Sequence, residues 1–308
     1  MLTSTRSTNR TWRLTIARCP RQLILGTLLI AIAWPIAWFG PERVAEYTFF
    51  PLWLGYILTV DGLVERRTAT SLLRRGRAQF AALFLISIPL WWLYEALNNR
   101  LGNWEYVYPR DVGFLQRRIH ASIAFSTVVP ALFETAELFH STGLPARLGR
   151  WKRLAPSRAG LLGFTLLGLA MIAVTLAFPR QAFPLVWIGL FFIFDPLVNL
   201  AGGRGISAQV ARGRWDTVVA LFFAGLTCGF FWEMWNVWST PKWVYHIPYV
   251  GQPKLFEMPL LGYGGYLPFA LEVFAAVQLL NLVVHLIPAG YLGFDQLIDL
   301  ADRNARNA

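Results

Sequence analysis

Long apolar runs separated by short polar stretches dominate the sequence. A helix needs about 20 apolar residues to cross a hydrocarbon core of about 30 Å, and runs of that length occur eight times. These runs cover residues 22–40, 44–64, 78–98, 119–140, 159–179, 182–203, 215–237 and 263–288. The pattern predicts an all-α, polytopic integral membrane protein with about eight transmembrane helices.

Composition narrows the class further. Of the 308 residues, 56% are hydrophobic and 15% are charged, whereas soluble globular chains carry roughly a quarter charged residues. The values exclude an ordinary soluble enzyme. Cys19 and Cys228 lack a C-x-x-C spacing, and the four histidines lack metal-site spacing, so no metal or other cofactor is expected.

Positive charge is unevenly distributed between the loops. Twenty of the 28 Lys and Arg residues fall in segments that lie on one side of the predicted membrane, together with both termini. The positive-inside rule then predicts cytoplasmic termini in a cell membrane, with a bacterial inner membrane favoured, and external loops at 99–118 and 238–262. It also accounts for the net charge of +11 without a nucleic-acid partner.

The sequence contains an internal repeat. Four blocks recur in the same order after 133 to 139 positions. Phe50-Pro51-Leu52 with Asp61 matches Phe183-Pro184-Leu185 with Asp195, Tyr94-Glu95-x-x-Asn98 matches Trp232-Glu233-x-x-Asn236, Trp104-x-Tyr106 matches Trp243-x-Tyr245, and Pro130-x-x-x-Glu134 matches Pro268-x-x-x-Glu272. The pattern predicts two four-helix repeats, residues 22–148 and 149–289, between a basic segment 1–21 and a cytoplasmic tail 290–308. An even number of spans in each repeat makes the repeats parallel.

Six carboxyl groups lie inside the predicted spans. Insertion of one charged residue at the centre of a span costs roughly 2.5–3.5 kcal/mol, so these side chains are expected to face a polar interior. Ordered from the external side to the cytoplasmic side, the repeat-related pairs are Glu95 with Glu233, Glu134 with Glu272, and Asp61 with Asp195. For the two aspartates, which lie near arginine-rich loops, structural pairing with arginine is the favoured interpretation.

The other two pairs predict a site between the repeats. Four carboxyls are the candidate catalytic groups: Glu134, Glu272, Glu95 and Glu233. Eight side chains near the external ends are candidate substrate-binding groups: Asn98, Asn236, Trp104, Tyr106, Trp243, Tyr245, Trp92 and Trp232. Two structural roles stay open, since Trp and Tyr also form interfacial belts, and Glu and Asn also cap helices or bond between helices.

Carboxyls in an apolar, tryptophan-lined cleft suit chemistry on an isoprenoid. A neutral carboxylic acid can protonate a double bond, aromatic faces can stabilise the cation, and a carboxylate can remove a proton to finish. The expected partner is a membrane lipid or an isoprenoid substrate. One alternative is a non-catalytic lipid or solute transporter that uses the same acids for proton coupling, and another is an assembly subunit without a site.

A family resemblance points the same way. Trp91-Trp92-x-Tyr94-Glu95, Gly102-Asn103-Trp104 and Val129-Pro130 resemble the lycopene cyclase domain of carotenoid cyclases, over residues 80–140 and more weakly over 220–280. The Pro-x-Glu-Glu motif of that family is absent, and residues 119–122 read Ile-His-Ala-Ser in its place. The resemblance implies a duplicated small membrane protein that acts on a carotenoid.

Overall fold

The computed structural model describes residues 19–295, which form a mostly helical bundle with two small β-ribbons. The predictions for the rest of the basic N-terminal segment and for residues 296–308 of the tail lie outside the described residues. The helices are α1 (Arg21–Phe39), α2 (Glu42–Ala45), α3 (Phe49–Thr68), α4 (Leu72–Arg75), α5 (Arg77–Leu101), α6 (Phe114–Phe125), α7 (Val128–Ser141), α8 (Leu144–Leu148), α9 (Arg158–Ala177), α10 (Pro179–Ala182), α11 (Val186–Leu200), α12 (Ile206–Val210), α13 (Asp216–Asn236) and α14 (Tyr266–Val284). The strands are β1 (Trp104–Val107), β2 (Lys242–Tyr245), β3 (Lys254–Leu255) and β4 (Met258–Pro259).

Seven helical stretches of the described chain are long and apolar enough to cross a membrane. They are Arg21–Phe39, Arg77–Leu101, Phe114–Ser141, Arg158–Ala177, Pro179–Leu200, Asp216–Asn236 and Leu260–Val284. Their outward faces carry large apolar side chains, such as Leu25 on α1 and Leu166 on α9, as a lipid-facing surface requires. The chain therefore has the architecture of a multi-pass membrane protein. The remaining predicted span, 44–64, corresponds to α3, whose last three turns carry several charges.

Small residues allow two helix pairs to pack closely. A Cβ atom added at Gly26 of α1 would lie 2.6 Å from the backbone oxygen of Gly55 on α3. A Cβ atom added at Gly168 of α9 would lie 2.6 Å from the backbone oxygen of Gly189 on α11. Close backbone approach through glycine is a common way to join helices in lipid, where no hydrophobic force drives helices together. The α1–α3 pair thus has a counterpart in α9–α11.

The predicted span 119–140 is broken into α6 and α7. Pro130, near the start of α7, has no backbone N–H and favours the beginning of a helix over its interior. Ser87 of α5 compensates at the break, because its Oγ donates to the oxygen of Phe125 at 2.5 Å and accepts from the amide of Val129 at 3.1 Å. A neighbouring side chain thereby satisfies backbone groups that the interrupted helix leaves free.

A two-stranded ribbon joins the loops that follow α5 and α13. Strands β1 and β2 pair antiparallel, with Trp104 opposite Tyr245 and Tyr106 opposite Trp243. We call this pair the ribbon, and the end of the bundle that carries it the ribbon end. The sequence predicted helices alone, so these strands and the β3–β4 pair are additions to the all-α prediction. The pairing places the loops 99–118 and 238–262 at the same end of the bundle.

The two ends of the described chain meet at the other end of the bundle, which we call the opposite end. Gln22 at the start of α1 bonds to side chains in the last turns of α3. Tyr291, which follows α14, donates from its hydroxyl to the backbone oxygen of Leu72 on α4 at 3.0 Å. The first and last described segments therefore lie together, away from the ribbon.

Candidate functional site

Two asparagines fix the chain where the helices pass into the ribbon. The Asn98 amide donates to the backbone oxygen of Trp104 at 2.7 Å, and its oxygen accepts from the amides of Asn103 and Trp104. Asn236 repeats the arrangement, since it donates to the oxygen of Trp243 at 2.7 Å and accepts from the Trp243 amide at 2.8 Å. Both side chains were predicted to bind substrate, but their polar atoms are engaged by the ribbon backbone.

Four aromatic side chains share one face of the ribbon. Alternate residues of a strand point to the same face, and directly opposed residues of an antiparallel pair do so as well. Trp104, Tyr106, Trp243 and Tyr245 therefore lie side by side. This face is turned towards the helices, because the ring of Trp104 lies 6.1 Å from that of Trp187 on α11.

Glu95 receives three hydrogen bonds on one oxygen. Its Oε1 accepts from the indole N–H of Trp91 at 3.0 Å, the indole N–H of Trp104 at 3.1 Å and the hydroxyl of Tyr106 at 2.7 Å. The side chain is partly exposed. These three bonds form an aromatic frame that orients the carboxyl group of Glu95, and within the described residues no donor is found for its Oε2.

Glu233 has an equivalent but fully buried environment. Its Oε1 accepts from the hydroxyls of Tyr245 at 2.7 Å and Tyr266 at 2.6 Å. The indole N–H of Trp243 donates to the Tyr245 hydroxyl at 2.9 Å. The residue is 0% exposed, and its Oε2 has no hydrogen-bond partner among residues 19–295. Glu95 and Glu233 thus occupy two separate clusters that the ribbon connects.

The ribbon tyrosines keep their protons. Burial raises the pKa of Tyr106 well above its usual value, and the Glu95 carboxyl raises that pKa further. Burial and then the Glu233 carboxyl act in the same direction on the pKa of Tyr245. Each hydroxyl therefore stays a hydrogen-bond donor to its carboxyl group at ordinary pH.

Two predicted tryptophans lie away from these carboxyls. Trp92 donates from its indole N–H to Ser122 on α6 at 3.0 Å, and the guanidinium of Arg118 lies 4.5 Å from its ring centre. Trp232 is buried, with its ring 5.2 Å from that of Trp53. The sequence pattern missed Trp91, which lies four positions before Glu95 and so on the same helix face.

Tyr266 is a second donor that the sequence analysis missed. It bonds to Glu233 from 33 positions further along the chain, at the start of α14. The contact could not be predicted from helical spacing, because the two residues lie on different helices. It could not be predicted from the sequence repeat either, because Tyr266 belongs to none of the matching blocks. Only the packing of α13 against α14 brings the hydroxyl to the carboxyl group.

Aromatic rings fill the contact between the two predicted repeats. Trp53 of α3 lies 5.2 Å from Trp232 of α13, and Tyr94 of α5 stacks on Trp187 of α11 with ring centres 5.9 Å apart. Phe269 of α14 contacts three of these four rings. Trp53, Tyr94 and Phe269 are at most 2% exposed. At these residues the predicted aromatic-lined cleft is closed by direct ring contacts.

Glu272 lies beside this aromatic layer. It is 0% exposed, and its Oε2 accepts from the hydroxyl of Tyr94 at 2.9 Å. Its Oε1 has no hydrogen-bond partner within residues 19–295. The residue therefore links the second predicted repeat to α5 of the first.

Glu134 has a different environment from Glu272. It is also 0% exposed, but both carboxyl oxygens lack a hydrogen-bond donor in the described part of the chain. The structure gives Glu134 and Glu272 no shared partner among the described residues, so the two predicted catalytic carboxyls are not seen to form one site.

The two aspartates hold backbone amides. Asp61 accepts from the Leu73 amide at 2.9 Å and from the Gln22 side chain at 3.0 Å. Asp195 accepts from the amides of Ile206 at 2.5 Å and Ser207 at 3.0 Å. For Asp61 the favoured pairing with arginine is therefore corrected, since its hydrogen bonds in the described structure come from an amide side chain and a backbone N–H.

Comparison with known proteins does not assign the chain to a family. No family model matches the chain, and neither a curated protein nor a solved structure shows significant similarity to it. The resemblance to the lycopene cyclase domain stays a prediction from the residues quoted above.

Proposed function

We propose that this chain acts on an isoprenoid or carotenoid-like lipid in the membrane by carboxyl acid–base chemistry. One observation carries the proposal. Glu95 and Glu233 each accept Trp or Tyr hydrogen bonds on Oε1, and within residues 19–295 no hydrogen bond to the second oxygen of either carboxyl is found. A group held in this way is oriented, and it retains one oxygen for proton exchange with a substrate.

The chemistry needs only proton transfers. A neutral carboxyl donates its proton to one carbon of an alkene, the π electrons form the new C–H bond, and a carbocation remains on the neighbouring carbon. Aromatic faces lower the energy of that cation. A carboxylate then takes a proton from an adjacent carbon, whose C–H electrons form a new double bond. These steps alone give an isomerisation. If the π electrons of a second double bond in the same molecule first attack the cation, they form the ring C–C bond and move the charge to another carbon, and loss of the proton then completes a cyclisation without net oxidation.

Accessibility assigns first contact with a substrate to Glu95. Its side chain is partly exposed, whereas Glu233 is completely buried and would need the ribbon to move. Glu134 and Glu272 are buried too, and they remain candidate acids at greater distance from the ribbon. Trp104, Tyr106, Trp243 and Tyr245 would shape the entrance, while Asn98 and Asn236 would position the ribbon.

We further infer that the chain has eight spans, arranged as two parallel repeats, 22–148 and 149–289. The support is local, since matching residues make matching contacts in the Asn98 and Asn236 clamps and in the Asp61 and Asp195 amide bonds. The ribbon register also maps onto itself when the strands are exchanged. An experimental structure whose halves are related by an axis in the membrane plane would contradict the arrangement.

The orientation is proposed from the charge distribution, with the ribbon end external and the opposite end in the cytoplasm. The chain offers its own reporter, because Cys19 is exposed at the opposite end and Cys228 is buried. A membrane-impermeant maleimide applied to intact cells should label a Glu105→Cys variant and leave wild-type Cys19 unlabelled until the cells are opened. Labelling of Cys19 in intact cells would reverse the orientation.

The function is tested with lycopene as the probe polyene. The purified full-length protein is placed in phosphatidylcholine vesicles prepared in D2O with lycopene, and the pigments are analysed by chromatography and mass spectrometry. Transfer of a proton from a carboxyl in exchange with solvent predicts an isomerised or cyclised product that carries deuterium. Glu95→Gln keeps the size of the side chain but removes the acidic proton that can be transferred to an alkene, so it should lower product formation at least tenfold.

A matched control comes from the other face of the ribbon. Glu105 is exposed and contacts His246 at 3.0 Å, so Glu105→Gln should leave product formation unchanged. Binding is measured separately by quenching of tryptophan fluorescence, with squalane as a saturated control. Quenching without product would reduce the function to polyene binding, and absence of both would refute the proposal.

A proton-coupled lipid or solute transporter is the second candidate. The observation that favours it is that Asp61 and Glu134 are completely buried acids, and that neither carboxyl oxygen of Glu134 has a hydrogen-bond partner within residues 19–295. An imposed pH gradient that drives lycopene between vesicle leaflets or populations, without chemical change, would support transport over catalysis.

A further inference from the structure

Positive charge concentrates where α8 leads into α9. Five exposed cations lie close together in the chain: Arg147, Arg150, Lys152, Arg153 and Arg158. The sequence contains no Asp or Glu between residues 138 and 194. This stretch lies at the opposite end of the bundle, because α7, which precedes α8, ends there. Ser141 of α7 accepts from the side chain of Arg67 in the last turn of α3 at 2.9 Å. We call residues 147–158 the basic loop.

The basic loop lies where the chain enters the membrane. α9 begins at Arg158 and α13 begins at Asp216, and both helices are long and apolar enough to cross a membrane. The basic loop leads directly into α9, and residues 210–215, on which it packs, lead into α13. Trp151 is 70% exposed and Leu154 is 54% exposed, and apolar side chains of this kind suit the boundary between headgroups and hydrocarbon. The cations of the basic loop are therefore at the level of the lipid headgroups.

Backbone hydrogen bonds fix the shape of the basic loop. The Trp215 amide donates to the backbone oxygen of Gly149 at 2.8 Å, and the Trp215 indole N–H donates to the backbone oxygen of Lys152 at 3.1 Å. The Leu154 amide donates to the backbone oxygen of Val210 at 3.2 Å. All three bonds use backbone groups of the loop. They hold the loop in place, and its exposed cationic side chains take no part in them.

The acid beside the basic loop is already paired. Asp216 lies against Gly149, and it accepts from the guanidinium of Arg214 at 3.1 Å. Asp216 is also only 3% exposed. Within residues 19–295, no ion pair is found for any of the five cations of the basic loop. The described part of the protein thus presents these cations at the membrane surface without neutralising them.

We propose that the basic loop binds the headgroup of an anionic phospholipid, with its cations on the phosphate and with Trp151 and Leu154 against the apolar part of the lipid. Arg and Lys bind phosphate through charge-assisted hydrogen bonds, and clusters of them next to a membrane span attract anionic lipids. The proposal depends on the membrane spans and not on isoprenoid chemistry. The polyene assay and a test of lipid binding can therefore fail separately.

A second set of arginines at the opposite end serves as a comparison. Arg74 and Arg75 on α4 form ion pairs with carboxyl groups, and Arg67 bonds to a serine of α7. Arg66 on α3 and Arg77 at the start of α5 are exposed, and within residues 19–295 no ion pair is found for either. Both lie on helices and outside the basic loop. Their replacement removes the same charge from the same end of the protein.

The test is native mass spectrometry of the full-length protein in a neutral detergent. Wild-type protein and one variant are mixed in equal amounts, and dioleoylphosphatidylglycerol or dioleoylphosphatidylcholine is added as the probe lipid. The wild-type protein should retain phosphatidylglycerol in preference to phosphatidylcholine. Arg150→Gln combined with Arg153→Gln should lower the association constant for phosphatidylglycerol at least about tenfold, because each cation at an anionic lipid surface contributes a factor of about five. Arg66→Gln combined with Arg77→Gln should leave that constant nearly unchanged.

A variant of unchanged charge tests the shape of the basic loop. Trp215→Phe keeps an aromatic ring beside Trp151, whose ring centre lies 5.9 Å from that of Trp215, but it removes the indole donor to Lys152. It should lower the association constant for phosphatidylglycerol about threefold, because the loop loses one of the hydrogen bonds that fix it. The midpoint of thermal unfolding without added lipid should stay close to the wild-type value for every variant, which separates lost binding from lost folding.

Four results would overturn the proposal. Equal losses for the two double-arginine variants would reduce the effect to net charge. Equal retention of phosphatidylglycerol and phosphatidylcholine by the wild-type protein would remove the selectivity for an anionic headgroup. Wild-type affinity of Trp215→Phe would show that no fixed loop is needed. Inorganic phosphate that raises the midpoint of thermal unfolding as much as phosphatidylglycerol does would identify a site for free phosphate instead of a lipid.

Discussion

The two ends of the bundle differ in how well the sequence match between the predicted repeats is reflected in side-chain contacts. At the ribbon end, matching residues keep matching contacts, since Asn98 and Asn236 hold the ribbon and Tyr106 and Tyr245 donate to the neighbouring carboxyls. At the opposite end, two ion pairs of the first predicted repeat, Arg74 with Glu65 and Arg75 with Glu137, match uncharged residues in the second. Glu65 matches Asn199, Arg74 matches Ala208, Arg75 matches Gln209 and Glu137 matches Ala275.

This difference has a physical reason, because the side chains at the ribbon end bind the backbone, whereas those at the opposite end pair with other side chains. The ribbon needs the same backbone path on both sides, and side chains that satisfy backbone groups permit few substitutions. These two ion pairs at the opposite end join side chains to each other. Both partners of a pair can therefore be replaced by uncharged residues together, without leaving a charge unpaired. We infer that these two ion pairs are a feature of the first predicted repeat alone within the described structure.

The largest expected effect comes from the buried ion pair at the opposite end. Arg75→Ala would leave Glu137 buried without its cation, and removal of one partner from a buried pair costs about 3–5 kcal/mol. The side chains of Arg75 and Glu137 are only 14% and 5% exposed. Unfolding in a denaturing detergent should report a loss of that order in the free energy of unfolding.

Arg74 is the matched control for this comparison. Its side chain is 62% exposed in the pair with Glu65, and exposed pairs contribute about 0–1 kcal/mol. Arg74→Ala should therefore have little effect on stability. Equal losses for the two arginine variants would show that burial does not distinguish the pairs.

The next largest effect tests the symmetry of the ribbon end. Asn98→Ala and Asn236→Ala each leave backbone groups of the ribbon unsatisfied, at a cost of about 2–3 kcal/mol. The two losses in the free energy of unfolding should be similar, because each side chain donates to the backbone oxygen of a ribbon tryptophan and accepts from the amide of the same tryptophan. Asn99 is exposed, so Asn99→Ala serves as the control with no expected change. A large loss for one clamp alone would break the proposed equivalence.

A smaller effect is expected where the two repeats meet. Tyr94→Phe removes the hydroxyl donor of Glu272 and should cost about 1–2 kcal/mol. A double-mutant cycle with Glu272→Leu isolates the pair, since the loss should disappear when the carboxyl is gone. The same cycle between Tyr94 and Glu134 should show no coupling. Coupling to Glu134 would mean that the two carboxyls share a site after all.

The smallest effect concerns single tyrosine donors at the ribbon end. Tyr106→Phe leaves Glu95 with two indole donors and should cost about 0.5–1 kcal/mol. Tyr245→Phe leaves Glu233 with one donor, the Tyr266 hydroxyl, and it also removes the acceptor of the Trp243 indole N–H. Its loss in the free energy of unfolding should therefore be the larger of the two. The free energies of unfolding of the two variants provide the comparison. A larger loss for Tyr106→Phe than for Tyr245→Phe would contradict the hydrogen bonds assigned to Glu95 and Glu233.

Much of the architecture was readable from the sequence. The length of the apolar runs predicted the long helices to within a few residues at most ends, as for 78–98 within α5 and 159–179 against α9. The local block Glu-x-x-Asn followed by Trp-x-Tyr predicted one cluster in each half, because three-residue spacing puts side chains on one helix face. Helical periodicity and hydrophobic length are local properties, and a membrane leaves few other structures available.

The partners of the carboxyls were decided by tertiary structure. The sequence treated Glu134 and Glu272 as one pair, but α14 carries Glu272 to Tyr94 of α5, whereas Glu134 on α7 has no hydrogen-bond donor in the described part of the chain. The donors of Glu233 likewise come from the ribbon and from α14. A buried carboxyl takes its protonation and hydrogen bonding from groups within a few ångströms. Those groups come from helices far apart in the chain, so helix packing, not sequence spacing, determines what each acid can do.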